Sequence, residues 1–175
     1  MAVTESLTDK SALLVPLRAL LLSGSVISKQ AILDRELAAG IIDDHHLYDE
    51  EGVALISAFK NLGAKTINWC RTSDLMDPSL SADIHIIDCT YEGLLAGYRH
   101  FDDSMPYWDH ILFQDSLNAI VLHTAHDHII YVGPETFVNE ATQRQNEFTD
   151  GWLAVIGQAF YDPELIAEYG LRKPG

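Results

Sequence analysis

Three histidines and one aspartate lie within six residues, in the segment "HTAHDH" from His123 to His128. Imidazole nitrogens and carboxylate oxygens are common ligands of zinc and iron in proteins. If the flanking residues form the two strands of a hairpin, His123 and His128 could face each other, with His126 and Asp127 nearby. One hypothesis is therefore a metal-dependent enzyme that uses His123, His126, Asp127 and His128.

The same segment resembles the His-x-His-x-Asp-His signature of metallo-β-lactamase-fold hydrolases. It departs from that signature at the second histidine, which is residue 126 where the pattern requires residue 125. The difference matters because neighbouring side chains of an extended chain point in opposite directions. That family also needs metal ligands after the motif, and no histidine follows His128. We therefore expect Thr124–Asp127 to be the polar tip of a hairpin, and we expect no metal.

Other catalytic motifs are missing from the sequence. It contains no Gly-x-Ser-x-Gly segment, no phosphate-binding loop and no dinucleotide-binding glycine pattern. Cys70 and Cys89 are far apart in sequence, and we expect two buried free thiols. The adjacent carboxylates Asp102 and Asp103 favour a surface loop over an acid–base pair. The sequence therefore favours a protein that is not an enzyme, and we expect no cofactor.

The overall charge excludes some partners and favours others. Asp and Glu total 26 against 11 Lys and Arg, which gives a formal net charge of −15. Such a surface repels nucleic acids and anionic membranes and attracts basic proteins. The charge therefore argues against a DNA-binding regulator, although "VISKQAILDRELAAG" vaguely resembles the start of a helix-turn-helix. It also suits a protein that is acidic only for solubility.

The acidic residues are concentrated where basic residues are absent. No Lys or Arg lies between Arg99 and Arg144, and this interval contains the segment "HFDDSMPYWDH". Aromatic rings supply anchoring area in an interface, and carboxylates steer the approach of a basic partner. The alternative is that the aromatic residues begin the next strand and pack in the core. The predicted partner-binding residues are Asp102, Asp103, Tyr107, Trp108, Asp109 and Asp127.

Helical patterns occupy the first third of the chain. Thr8 could cap a first helix with leucines at three- and four-residue spacing up to Leu21, and Pro16 and Arg18 argue against a signal peptide. Ser28 could begin a second helix that ends at Gly40. Asp49 could cap a third helix that ends before Gly63.

The pattern changes to short β-rich segments after Gly63. These are "KTINWC", "IHIIDC", "DHILFQ", "NAIVLH" and "HIIYVG", whereas "YEGLLAGYRHF" fits either helix or strand. "GPETFVNEA" and two later segments favour helices. We therefore predict one α+β domain over residues 1–175. Its small antiparallel sheet, with strands between about 65 and 133, is covered by N- and C-terminal helices.

The segment "HILFQDSLNAIVLHTAHDHIIYVGPETFVNEA" resembles the C-terminal part of bacterial immunity proteins, which neutralise polymorphic or contact-delivered toxins. The similar element has a strand pair followed by Gly133 and Pro134, and then by Phe137 and Val138 entering a helix. The resemblance implies a cytoplasmic, acidic α+β protein that blocks a toxin domain. The functional expectation is therefore an immunity protein that occludes the basic active site of a toxin.

Overall fold

The computed structural model describes residues 10–23, 26–42, 46–77, 79, 82–104, 109–124 and 129–143. Its helices are α1 (Ser11–Arg18), α2 (Lys29–Asp34), α3 (Asp49–Asn61), α4 (Thr72–Met76), α5 (Tyr91–Ser104) and α6 (Glu135–Ala141). Its strands are β1 (Leu21–Ser23), β2 (Val26–Ile27), β3 (Ala38–Ile42), β4 (Thr66–Arg71), β5 (His85–Asp88), β6 (His110–Phe113), β7 (Ile120–His123) and β8 (Ile129–Gly133). The predicted α+β class is confirmed.

Six of the strands form one antiparallel sheet, in the order β3-β8-β7-β6-β4-β5. Strands β6, β7 and β8 follow one another as a meander, as their short connections predict. Strands β1 and β2 form a separate antiparallel pair. Each apolar segment that the sequence assigned to a strand between Thr66 and Gly133 forms one.

Both faces of the six-stranded sheet are covered. The core on one face contains Leu17 of α1, Ile32 of α2 and Leu75 of α4. The core on the other face contains residues of α3, α5 and α6, including Phe59 and Phe137. Neighbouring residues of β4 therefore enter different cores, with Cys70 in the first and Trp69 in the second. Burial on both faces explains why β8 is apolar throughout instead of alternating.

The prediction of a second helix up to Gly40 is wrong. Helix α2 ends at Asp34, and Glu36 adopts a left-handed conformation with φ 54°. The N–H of Leu37 then donates to the carbonyl of Ile32 at 3.0 Å, which closes the helix as a Schellman motif does. The chain continues as β3 and pairs with β8, so the sheet has a strand that precedes the predicted region. Glutamate in place of glycine concealed this helix end.

Other predicted helix ends fit more closely. The Ser28 hydroxyl accepts a hydrogen bond from the N–H of Ala31 at 3.3 Å, as expected at a helix start. Helix α3 begins at Asp49, with Tyr48 instead of Asp49 in the capping position. Gly63 follows its end with φ 83°. Helix α1 ends earlier than predicted, and Leu21 belongs to β1.

Two predicted features of the termini lie outside the described residues: Thr8 and the helices after Gln143. "YEGLLAGYRHF" is helical, in α5. No helix among the described residues combines the length and apolar character needed to cross a membrane.

Candidate functional site

One end of the sheet brings together the segments that the sequence marked as functional. His110 at the start of β6 pairs with His123 at the end of β7, and it also pairs with Arg71 at the end of β4. Asp109 immediately precedes His110, and Thr124 immediately follows His123. The chain therefore enters β6 and ends β7 at the same end of the sheet.

Trp69 of β4 is the centre of a group of rings at this end of the sheet. It is 1% exposed, and its ring centroid lies 5.1 Å from that of Phe101 and 5.2 Å from that of Tyr98. His123 and His110 lie farther out, at 6.1 Å and 6.4 Å. These five rings, together with the neighbouring His85 and His100, form a group that we call the aromatic–histidine cluster.

A stacked pair of histidines extends the cluster toward the edge of the sheet. The rings of His85 on β5 and His100 on α5 are nearly parallel, with centroids 4.2 Å apart and an angle of 9°. Burial, and then the neighbouring His100, lower the pKa of His85 below its ordinary 6.5, whereas Asp83 opposes this effect. Both origins disfavour the protonated form of His85.

Two tyrosines of α5 hold the segment that leads into α3. The N–H of Leu47 donates to the hydroxyl of Tyr98 at 2.9 Å, and the N–H of Asp49 donates to the hydroxyl of Tyr91 at 2.7 Å. The ring of His46 lies 4.4 Å from that of Tyr98 and stacks on Tyr48. These contacts fix the acidic first turn of α3, residues 49–51, beside α5.

The predicted partner-binding residues fall into two sets. Asp102 and Asp103 lie in the last turn of α5. Asp109 is half-buried, and its carbonyl accepts from the N–H of Thr72 at 3.0 Å and from the Thr72 hydroxyl at 3.3 Å. These bonds fix the entry to β6. The remaining set, Tyr107, Trp108 and Asp127, lies outside the described residues.

The predicted metal ligands are only partly described. His123 is 5% exposed on β7, and Ile129 is its register partner on β8. The other members of the alternative metal site, His126, Asp127 and His128, lie outside the described residues. Within the described part of the chain, no three or more His, Cys, Asp or Glu side chains are grouped as metal ligands.

Sequence reasoning missed the role of α5. Tyr91, Leu94, Tyr98 and Phe101 recur at three- and four-residue spacing, which is the pattern of one helix face. That spacing would have placed the tyrosines and Phe101 on the side that faces α3 and the sheet. The stacking of His85 on His100 depends on the pairing of distant segments, and no local pattern indicates it.

Comparison with known proteins adds no relative. No family model, no curated protein and no solved structure matches the chain. The function is therefore argued from the arrangement of its residues.

Proposed function

We propose that this protein binds a basic protein partner through the acidic surface carried by α5. The observation that supports the proposal is that one helix joins both acidic segments of the sequence. Tyr91 and Tyr98 hold residues 49–51 beside α5, and the last turn of α5 contains Asp102 and Asp103. Acidic residues from distant parts of the chain therefore belong to one helix or to the segment packed beside it.

Exposed apolar side chains accompany the acidic residues at the start of α3. Tyr48 is 49% exposed and Val53 is 52% exposed, next to and within the acidic start of α3. Large apolar side chains among acidic residues suit an interface, because the apolar area gives affinity while the charges give orientation and rapid association. The chain's net charge of −15 makes a basic surface the complementary partner.

The more specific part of the proposal is an immunity protein. The resemblance of residues 110–141 to bacterial immunity proteins supports a toxin domain as the partner. Occlusion of a basic active site, such as that of a nuclease, would then neutralise the toxin in the cytoplasm. Acidic side chains suit this role because the active site of a nuclease must attract phosphate.

The test is a triple charge reversal, Asp102→Lys with Asp103→Lys and Asp109→Lys. Binding is measured by surface plasmon resonance to the basic protein encoded immediately upstream of the gene. We expect the association rate to fall by about tenfold or more at low salt, and the difference to shrink as salt increases. A melting curve of the variant checks that it is folded.

The matched control reverses three exposed acids on the other side of the sheet: Asp34→Lys, Glu36→Lys and Asp77→Lys. It changes the net charge by the same amount, so a specific surface predicts nearly unchanged association. Equal losses in both triple variants would mean that only the overall charge matters. Full binding by the Asp102, Asp103 and Asp109 variant would refute the proposed surface.

A further inference from the structure

The edge strand β5 turns part of its backbone outward from the sheet. Within the described part of the chain, β5 is the last strand of the six-stranded sheet and pairs only with β4. The N–H of Cys89, directly after β5, donates to the carbonyl of Lys65, directly before β4, at 2.9 Å. In an antiparallel ladder, successive residues turn their N–H and C=O groups alternately toward the neighbouring strand and away from it. Those of Ile86 and Asp88 therefore point away from β4, to the outer edge of the sheet.

These outward groups have the spacing that a further strand requires. The carbonyl of Asp88 accepts from the N–H of Thr90 at 2.7 Å, so it is already used. The N–H and C=O of Ile86 and the N–H of Asp88 have no hydrogen-bond partner among the described residues. An antiparallel strand with one residue opposite Ile86 would exchange two hydrogen bonds with Ile86 and accept a third from the N–H of Asp88.

The side chains along this edge suit a basic segment. Ile86 is 41% exposed and Asp88 is exposed, and they lie on the same side of the strand because they are two residues apart. Asp83, also exposed, lies two residues before the strand begins, and neither carboxylate makes a hydrogen bond or a salt bridge with the described residues. An apolar residue flanked by Lys or Arg would complement this edge. The opposite edge strand, β3, has no charged residue and no exposed one.

A second copy of the chain fits this edge poorly. If β5 paired with itself about Ile86, the Asp88 of each chain would lie opposite Ile84 and next to Asp83 of the other. Each chain also has a net charge of −15. Like charges on an edge strand are a common means of preventing self-association. The charges therefore favour a segment of a different, basic protein.

We propose that the outer edge of β5 binds an extended basic segment of the protein partner as an additional antiparallel strand. The segment places an apolar side chain opposite Ile86 and a Lys or Arg opposite Asp88. This inference rests on the proposed function in that the partner is basic, and it adds a second contact that holds the partner by its backbone. The backbone bonds supply affinity and fix the direction of the segment, while the alternate side chains supply specificity.

Amide hydrogen exchange of the free full chain, followed by NMR, tests whether the edge is open. The amide of Ile87 faces β4 and should exchange at least about tenfold more slowly than those of Ile86 and Asp88. Protection of Ile86 in the free chain would overturn the inference, because the edge would then already be paired. Protection that appears only as the protein concentration rises would also overturn it, since the occupant would be a second copy.

The probe for binding is the synthetic peptide acetyl-Thr-Lys-Thr-Val-Thr-Lys-Thr-amide, which has valine between two lysines on one side of an extended chain. In an NMR titration it should shift the amide signals of Ile86 and Asp88 and protect them from exchange. The matched control peptide contains N-methylvaline, which keeps the charge but removes the donor to the carbonyl of Ile86. It should bind about tenfold more weakly. Equal binding of the two peptides, or no binding of either, would overturn the inference.

Variants of β5 test the same edge with the basic partner. Ile86→Pro removes the outward N–H but no bond to β4, and such a position on an edge strand tolerates proline. A melting curve checks that it is folded, and its complex should dissociate about tenfold faster. Asp88→Asn changes only an exposed side chain, and it should weaken binding about twofold to fivefold at low salt, with Asp34→Asn as the matched control.

The outcomes separate this inference from the proposed function. If the folded variants of Ile86 and Asp88 bound the partner as the wild type does, the inference would be overturned and the proposed function would stand. Failure of the wild type to bind any basic partner would instead refute the proposed function. The two peptides would then still decide whether the edge of β5 accepts a basic strand.

Discussion

The indole of Trp69 on β4 occupies the space beside Gly97 on α5. A Cβ atom at Gly97 would clash with Cζ3 and Cε3 of the indole. The absence of a side chain at residue 97 therefore allows this buried indole to lie directly against the helix. Tyr98 and Phe101, which follow Gly97 on α5, also pack against the ring of Trp69.

Gly97→Ala should destabilise the protein, because the new methyl group has no room. Overpacking of a core costs about 1–3 kcal/mol, which exceeds the gain of roughly 1 kcal/mol that alanine gives within a helix. The change in the free energy of unfolding is measured by urea denaturation. In a Trp69→Leu background, where the indole is gone, the same substitution should cost less or even stabilise. A stabilising effect of Gly97→Ala in the wild type would contradict the packing described.

Tyr98→Phe should be more destabilising than Tyr91→Phe. The hydroxyl of Tyr98 accepts from the N–H of Leu47, a residue that is 0% exposed, so its removal leaves a buried donor without that acceptor. Such a loss costs about 1–3 kcal/mol. The bond from Asp49 to the Tyr91 hydroxyl is exposed, and water can replace the acceptor. Urea denaturation of both variants gives the comparison, and equal costs would argue against it.

Local patterns predicted most of the sheet, because most of its strands are short apolar runs that can be recognised in the sequence. "NAIVLH" and "HIIYVG" are apolar runs bounded by turn residues, and these runs form β7 and β8. Strand β3 was missed because the chain leaves α2 through Glu36, a residue that does not normally mark a helix end. Strand β3 pairs with β8, nearly a hundred residues later in the chain, and no local pattern indicates that pairing.

The candidate site was only partly predictable for the same physical reason. Acidic composition and the gap in basic residues are visible in the sequence, and they indicated residues 102–109. The packing of residues 49–51 beside α5 depends on the bonds that Tyr91 and Tyr98 make to the chain 42 and 51 residues away. The environment of His85, on the edge strand β5, likewise depends on its stacking against His100 of α5.

Neither cysteine should react with a thiol reagent in the folded protein. Burial, followed by the nearby charges of Asp74 and Asp83, raises the pKa of Cys70 to about 12. Burial also raises the pKa of Cys89, which donates its S–H to the carbonyl of Ile56. Because the thiolate is the reactive form, both should stay unmodified by Ellman's reagent at about pH 8.

Two controls check this assignment of the thiols. Both cysteines should react in guanidinium chloride, where the chain is unfolded. An exposed cysteine introduced as Asp34→Cys should react rapidly in the folded protein. Rapid modification of either native cysteine without denaturant would show that its surroundings open far more readily than its burial implies.

Asp115 should make the stability depend on pH in the acidic range. Lys10 donates to both of its carboxylate oxygens, at 2.6 and 2.7 Å, and Asn68 donates to one of them at 2.7 Å. The hydrogen bonds from Lys10 and Asn68 hold the pKa of Asp115 below its ordinary 3.8. Its stabilising contribution is therefore present above the unfolded pKa and is lost as the pH falls through the lower folded value.

Asp115→Asn should remove that contribution. The variant should be less stable than the wild type at neutral pH, and the difference should decrease once the pH falls below about 3.8. Urea denaturation at a series of pH values measures it, with Asp34→Asn as the control for an acid outside this contact. A difference that stays constant down to the lowest pH would mean that the carboxylate charge of Asp115 has no part in stability.

Elemental analysis of untagged protein tests the hypothesis that the segment from His123 to His128 binds a metal. We expect no stoichiometric zinc, iron or manganese and no change in Tm on adding a chelator. The reason is the position of His123, which packs against the rings of Trp69 and Tyr98 and pairs with Ile129 at the end of β7. Its side chain belongs to the core on that face of the sheet.

Bound metal would change the functional conclusion. If stoichiometric metal and a chelator-sensitive melting transition were found, and if His126→Ala and His128→Ala removed both, the hairpin would be a metal site. The metal-dependent enzyme would then be favoured over the binding protein. His46→Ala is the matched control, because it removes a histidine near Tyr98 but outside that segment, and it should leave the metal content unchanged.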